Sequence, residues 1–333
     1  MRLVLICLLV GLLPGAAAAQ KQMTPAELRD TCDNKSGQVS PDAQIGACSA
    51  IIDAGKDAPN NLSVDYNNRG KAYAAKGDED RALQDFDQAI KVYPTNATAI
   101  YNRAAILLHR QHLDDAMAGF DEAIRLDPRA FPALVGRSDI LLQRHRYQQA
   151  IVDLDQAIAI NPQNARAYNL RAVGYRSLGQ YDRALRDHGE AIKLDPKNFL
   201  YWNGRCWTRI RANDLRRAMS DCSHALELKP GEPHVLDSMG FIYLRLGQND
   251  TAIEKFDASL KDDPQRATSL YGRGVARLRK GDKSGGEADI DAATQFQPDI
   301  AEEMSRMGIV VKADPPPPAA PPSPRRPAPR SSR

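Results

Sequence analysis

The chain has 333 residues, with 45 Lys plus Arg against 42 Asp plus Glu and a formal net charge of +3. The excess is terminal, in Arg2 and in Arg325, Arg326, Arg330 and Arg333, so the body is close to neutral. A balanced body with only 6% aromatic residues lacks the clustered cations on which phosphate-backbone affinity rests, and no nucleic-acid partner is expected. Residues 1–19 read as an export signal: Met1 and Arg2, an apolar run from Leu3 to Leu13, and Ala17, Ala18 and Ala19 before Gln20. Cleavage is expected after Ala19. The apolar run falls well short of the roughly 20 residues a membrane helix requires. Cys7 lies inside that run, with too little hydrophobic sequence before it for a lipoprotein signal, and is expected to leave with the leader. No later segment is apolar enough to cross a bilayer. The mature chain is therefore expected in the periplasm or secreted, where disulfides are permitted.

From residue 63 the sequence repeats with a period of 34: 63–96, 97–130, 131–164, 165–198, 199–232, 233–266 and 267–300. Position 32 is always proline (Pro94, Pro128, Pro162, Pro196, Pro230, Pro264 and Pro298), which ends a helix by lacking a donor and restricting its predecessor. Position 20 is Ala82, Ala116, Ala150, Ala184, Ala218, Ala252 or Gly286, and position 27 is Ala89, Ala123, Ala157, Ala191, Ala225, Ser259 or Ala293. Position 8 is likewise small, from Gly70 to Gly274. Two helices approach closely only where neither presents bulk, so each unit is predicted to be a helical hairpin. Its turn is marked in four units by Gly77, Gly179, Gly247 and Gly281.

Small residues at 8, 20 and 27, proline at 32, Phe86, Phe120 and Phe256 at 24, and Tyr73, Tyr175 and Tyr243 at 11 resemble the tetratricopeptide repeat (TPR) family. Phrases such as Asn67-Asn68-Arg69-Gly70 and Tyr271-Gly272-Arg273-Gly274 are similar to exported members from alphaproteobacteria. The resemblance implies an all-α fold, an α-solenoid of stacked hairpins wound as a right-handed superhelix, and a role in holding a protein or peptide. The expected layout is a degenerate capping hairpin at 20–62, seven units at 63–300, a C-terminal capping helix at 301–312 and a disordered Pro/Arg-rich tail at 313–333. In the capping helix, Ile300, Met304 and Met307 are spaced to cover the last hairpin, with Glu302 and Glu303 turned outward.

Position 7, where the family usually has leucine, is Arg69, Arg103, Arg137, Arg171, Arg205 or Arg273 in six units. Sixteen residues later stand Asp85, Asp153, Asp187, Asp221 and Asp289; Arg103 faces Gly119 instead, and the unit with Met239 has Lys255. Such matched spacing predicts partly buried structural pairs Arg69–Asp85, Arg137–Asp153, Arg171–Asp187, Arg205–Asp221 and Arg273–Asp289, in preference to an anion-binding stripe. Four cysteines remain after the leader and share the same spacing, Cys32 with Cys48 and Cys206 with Cys222. In the repeat frame Cys206 and Cys222 occupy positions 8 and 24, facing one another across a hairpin, so both pairs are predicted to form disulfides, the first stapling the terminal hairpin.

Function in such arrays is expected on the face built by the first helices, through positions 2, 5, 9, 12 and 13. Early units place Asn67, Lys71, Tyr101, His109, Asp139 and Gln143 there. Later units place Val173, Trp207, Ile210, Phe241, Leu244, Tyr271, Val275 and Leu278, edged by Asn169, Arg176, Asn203, Arg211, Arg245 and Arg279. Aromatic residues beside arginines have the composition of a binding hot spot, and these fourteen form the candidate peptide-binding groove; packing between adjacent first helices is the competing reading. The carboxylate clamp of chaperone adaptors is not expected, because no position 5 is lysine. No stretch is left for an enzyme domain, and no phosphate loop or nucleophile elbow is present, so neither catalysis nor a cofactor is expected. His109, His112 and His145 lie near turns without a completing carboxylate or cysteine, so no metal site is expected either. The expected function is an exported interaction scaffold, with a carrier of small ligands or cell-wall fragments, or a scaffold working through its convex face or self-association, as alternatives.

Overall fold

A computed structural model describes residues 23–310; the expected leader and tail lie outside them. Among the described residues the regular structure is entirely α-helical. The helices are α1 (Pro25–Asp33), α2 (Pro41–Ala54), α3 (Pro59–Ala75), α4 (Glu79–Val92), α5 (Ala97–His109), α6 (Leu113–Leu126), α7 (Phe131–Gln143), α8 (Tyr147–Ile160), α9 (Ala165–Ser177), α10 (Tyr181–Leu194), α11 (Phe199–Arg211), α12 (Leu215–Leu228), α13 (Pro233–Arg245), α14 (Asn249–Asp262), α15 (Ala267–Arg279), α16 (Lys283–Phe296) and α17 (Ile300–Arg306). The chain divides into two compact units, one ending at Gly136 and one beginning at Arg137.

Capping chemistry starts many of these helices at fixed points of the repeat. Asn96, Asn164 and Asn198 accept from backbone N–H groups at the starts of α5, α9 and α11, and Asp78, Asp214 and Asp282 do the same for α4, α12 and α16. The turn between the two helices of a hairpin passes through a residue of positive φ at position 15, between 57° and 88° from His145 to Gly281. Where glycine is lacking, Gln111, His145 and Asn213 take this left-handed conformation, so the turn is the same without its sequence marker.

In the first unit α1 packs on α2, α3 on α4 and α5 on α6, and consecutive hairpins meet through α2 with α3 and α4 with α5. In the second unit the same order runs through α9 with α10, α11 with α12, α13 with α14 and α15 with α16. The alanines at positions 20 and 27 are fully buried at these crossings. Phe256 shows how tightly hairpins meet: its ring lies between Gly240 of its own hairpin and Gly272 of the next, where an added Cβ would come within 2.5 and 2.3 Å of ring atoms.

Two disulfides cross hairpins, Cys32–Cys48 between α1 and α2 with S–S 2.07 Å, and Cys206–Cys222 between α11 and α12 with S–S 2.04 Å. All four sulfur-bearing residues are fully buried. The terminal hairpin is also pinned by charge, because Arg29 of α1 pairs with Asp57 and with the buried Asp65 of α3. Burial, followed by the neighbouring Asp57, pushes the Asp65 carboxyl up to about 7.

Arg69, Arg137, Arg171, Arg205 and Arg273 each donate through Nε and Nη2 to both oxygens of Asp85, Asp153, Asp187, Asp221 and Asp289, at 2.6–2.9 Å. The same guanidinia also reach back to position 25 of the preceding hairpin: Arg69 to Ser49, Arg171 to Asp155 and Arg273 to Asp257. Arg103, which lacks the forward aspartate, makes the backward pair alone, with Asp87 at 2.7 Å. One side chain thus ties two hairpins, and the hydrogen bond to Asp85 holds the Arg69 guanidinium above its ordinary pKa.

Candidate functional site

In the second unit the first helices α9, α11, α13 and α15 lie side by side. Position 5 links α11 to α13 and α13 to α15 through polar contacts: Ser238, at position 6, donates to Asn203 at 2.9 Å, and Ser269 and Thr268, at positions 3 and 2, donate to the two oxygens of Asp237 at 2.6 and 3.1 Å. In the first unit Asn102 donates to Asn67 at 2.8 Å in the same way. Asn169 has a buried Oδ1 without a hydrogen-bond partner, next to His188 of α10. Burial pushes the Asp237 carboxyl up to about 6.

The aromatic residues of the candidate groove run from the face into the hairpin interiors. The Trp207 ring meets the Phe241 ring edge-on at 5.3 Å, and Phe241 meets Phe256 at 5.1 Å. Ile210, Phe241, Leu244, Tyr271 and Val275 are buried, whereas Val173, Asn169, Asn203, Trp207 and Leu278 are partly accessible. Trp207 and Phe241 bridge α11 and α13, so they pack between adjacent first helices.

The arginines are partly accessible along the same face. Arg279 donates to the Leu244 carbonyl oxygen at 3.0 Å. Arg245 donates to Asn213 Oδ1 at 2.7 Å and to the Met307 carbonyl oxygen at 2.8 Å. Burial, then the neighbouring Arg211, lowers the Arg176 guanidinium to about 10, with Glu303 opposing the shift.

The C-terminal segment shares the apolar core beneath these helices. Ile300, Met304 and Ile309 are fully buried and Met307 nearly so, in one apolar cluster with Phe241, Leu244, Tyr271 and Val275. The apolar face expected on this segment is present and α17 packs on α15 and α16 of the last hairpin, while beyond the helix the Met307 carbonyl is held by Arg245 of α13. The contact with Arg245 had no local marker in the sequence, since the spacing of Ile300, Met304 and Met307 defines an apolar face but not the main-chain contacts around it.

Of the histidines near turns, His109 Nδ1 faces Glu79 at 2.6 Å, and His145 Nδ1 faces the Tyr147 hydroxyl at 2.6 Å. Beside the α9–α10 turn a depression of about 630 Å³ is lined by Gly179, Gln180, Tyr181, Asp182, Arg183, Arg186 and Ala212, without an apolar floor. Among the described residues no helix is long and apolar enough to cross a membrane.

A row of first helices with an apolar floor, a guanidinium edge and second helices stacked behind it defines a helical-hairpin repeat scaffold. The chain belongs to the tetratricopeptide repeat family: models described as tetratricopeptide or TPR repeat match residues 67–131, 139–173, 165–198 and 240–299, together more than half of it. Among solved structures it is similar to a tetratricopeptide repeat protein from Parabacteroides merdae, at 18% identity over 81% of this chain and 98% of that one, with a TM-score of 0.55. It is similar to a chain of the APC/C hetero-tetramer Cut9-Hcn1, at 17% identity over 84% of this chain and 55% of that one, with a TM-score of 0.63. MamA from Desulfovibrio magneticus RS-1 aligns at 22% identity over 52% of this chain and 96% of that one, with a TM-score of 0.46. At these identities the likeness concerns the fold. No curated protein matches the chain.

Proposed function

We propose that this protein is an exported scaffold that holds a segment of another protein on the concave face of its second unit, and that its role is binding and not catalysis. The observation that carries the reading is the composition of that face. Val173, Trp207 and Leu278 are partly accessible apolar groups, and Arg176, Arg211, Arg245 and Arg279 stand along them on successive first helices. Apolar anchors beside guanidinia that donate to backbone carbonyls suit a polypeptide ligand, whose main chain offers a carbonyl at every residue. Export accords with the leader-like residues 1–19 and with the two buried disulfides, which persist in oxidising compartments.

The test is a photoreactive amino acid at Val173 in the full chain, irradiated in cells and followed by mass spectrometry. Covalent adducts to a discrete protein, lost when Arg176→Glu and Arg211→Glu are combined, are expected. Adducts that persist unchanged in the double variant would reject the concave face, and adducts confined to this chain would reject a partner. Export is tested separately by fractionation and N-terminal sequencing, with mature protein beginning at Gln20 as the expected result.

A further inference from the structure

We infer that the segment Ile300–Val310 is a built-in occupant of the concave face of the second unit, and that the natural ligand is an amphipathic acidic helix which displaces it. This rests on the concave face being the binding surface, and it identifies the ligand class.

A helix that merely closes the stack sits beyond the last hairpin and touches only that hairpin. First helices packed at 8–10 Å put such a position on the order of 35 Å along the row from α9. The segment does contact α15 and α16. It also reaches far back along the chain. The Glu303 carboxylate lies in the field of Arg176 on α9 and of Asp237 on α13, and Arg306 lies in that of Tyr147 on α8. Arg245 of α13 holds the Met307 carbonyl oxygen at 2.8 Å. Met304 and Ile309 are fully buried in the cluster that includes Phe241 and Val275. The segment therefore packs on α15 and α16 and is reached by a side chain of α13, so it lies at the end of the row of first helices, on the face a ligand helix would take.

How it is held describes what else would fit. Apolar side chains at a helical spacing are buried against the last hairpin, the Glu303 carboxylate accepts from Gln297 at 2.9 Å and adds to the field at Arg176, and a guanidinium reads a main-chain carbonyl. The last contact depends on no side chain of the ligand, so another helix with the same charge and apolar pattern meets the same surface. The segment is also built to leave. A seven-residue helix is far below the length at which a helix persists alone, so its order comes from docking. Residues 297–299 join it covalently to α16, and a tether this short supplies an effective concentration in the millimolar range, which a partner must exceed or out-bind.

The test uses the full chain and a fluorescein-labelled synthetic peptide of residues 298–312, measured by anisotropy. The wild type is expected to bind it weakly. A Met304→Glu, Met307→Glu variant, whose own segment is expelled, is expected to bind at least ten-fold more tightly, and adding Arg176→Glu is expected to reverse the gain. A folded double variant, by circular dichroism, with no gain would overturn the inference. Should the double variant not fold, hydrogen exchange on the wild type decides: excess unlabelled peptide is expected to deprotect residues 300–310 alone, and unchanged protection overturns the inference. Peptide capture without any cellular partner would reject only the proposed function. A partner that crosslinks equally to the wild type and the double variant would reject only the displacement.

Discussion

Arg245 donates a hydrogen bond 2.8 Å long to the carbonyl oxygen of Met307, 62 residues further along the chain. Hydrogen bonds from a charged donor contribute about 1.5–3 kcal/mol, which is a large share of what can hold a short terminal helix. Arg245→Ala is therefore expected to lower the exchange protection of residues 300–310 by ten-fold or more while amides of α9 to α12 keep theirs. Loss of protection spread evenly over the second unit would mean that Arg245 serves general stability, through Asn213, and not the segment.

The repeat frame was legible because it is written in residues whose backbone and packing constraints are local: proline at position 32, small residues at 8, 20 and 27, and Arg and Asp sixteen apart. The backward pairs have that same spacing, from Asp87 to Arg103, Asp155 to Arg171 and Asp257 to Arg273, and so were equally present in the sequence. The interval alone does not show them, because each arginine already has a carboxylate or a gap sixteen residues ahead and the second partner belongs to the preceding hairpin. The groove was harder. Phe241 and Trp207 alternate between face and interface in a way composition cannot separate, and the docking of Met304 and Ile309 depends on tertiary proximity that no spacing encodes. The polar links of Asn203 to Ser238 and of Asp237 to Ser269 join different units and surface only when adjacent helices are aligned in space.

The left-handed turn position offers a stability test with a defined sign. A residue with a Cβ costs roughly 1–2 kcal/mol in this conformation, and glycine avoids that while losing up to ~1 kcal/mol in chain entropy. Gln111→Gly and His145→Gly are each expected to raise stability by up to about 1 kcal/mol, seen as a higher Tm, and Gly179→Ala to lower it. Both wild-type side chains are exposed, and the His145 variant also gives up the contact of Nδ1 with the Tyr147 hydroxyl, so its gain is expected to be the smaller. A fall in Tm for both glycine variants would show that these side chains contribute more than their backbone costs.

Closing a loop with a sequence separation of 16 stabilises a fold by about 3 kcal/mol through the unfolded chain. A thiol reductant is accordingly expected to lower the Tm of the purified protein. A Cys206→Ser, Cys222→Ser variant should retain only the part of that response due to Cys32–Cys48. Titration with an alkylating reagent under native conditions is expected to find no free thiol in the mature chain, and four reactive thiols would mean that neither bridge forms.

His188 stands at position 24, where other units have Phe86, Phe120 or Phe256, and it is fully buried. Its Nε2 lies 3.1 Å from the Thr208 hydroxyl, which in turn donates to the Gly204 carbonyl oxygen at 2.9 Å. Because that hydroxyl proton is committed, Nε2 carries the imidazole proton and Nδ1 is bare, without a hydrogen-bond partner. Burial, then the nearby Arg176 and Arg205, keeps the pKa well below the ordinary 6.5. The folded chain thus binds fewer protons here than the unfolded one, so the stabilisation is whole above about pH 6.5 and is lost as pH falls. Asp237, pushed up to about 6, works in the opposite sense, gaining stability as pH falls from about 6 towards 4. Comparison with His188→Phe isolates the imidazole, since Asp237 is common to both proteins. The Tm of the variant minus that of the wild type is expected to grow between pH 7.5 and pH 5. A difference that stays constant over that range would mean the imidazole accepts its proton in the folded state as readily as in the unfolded chain, and that the contact with Thr208 does not fix it neutral.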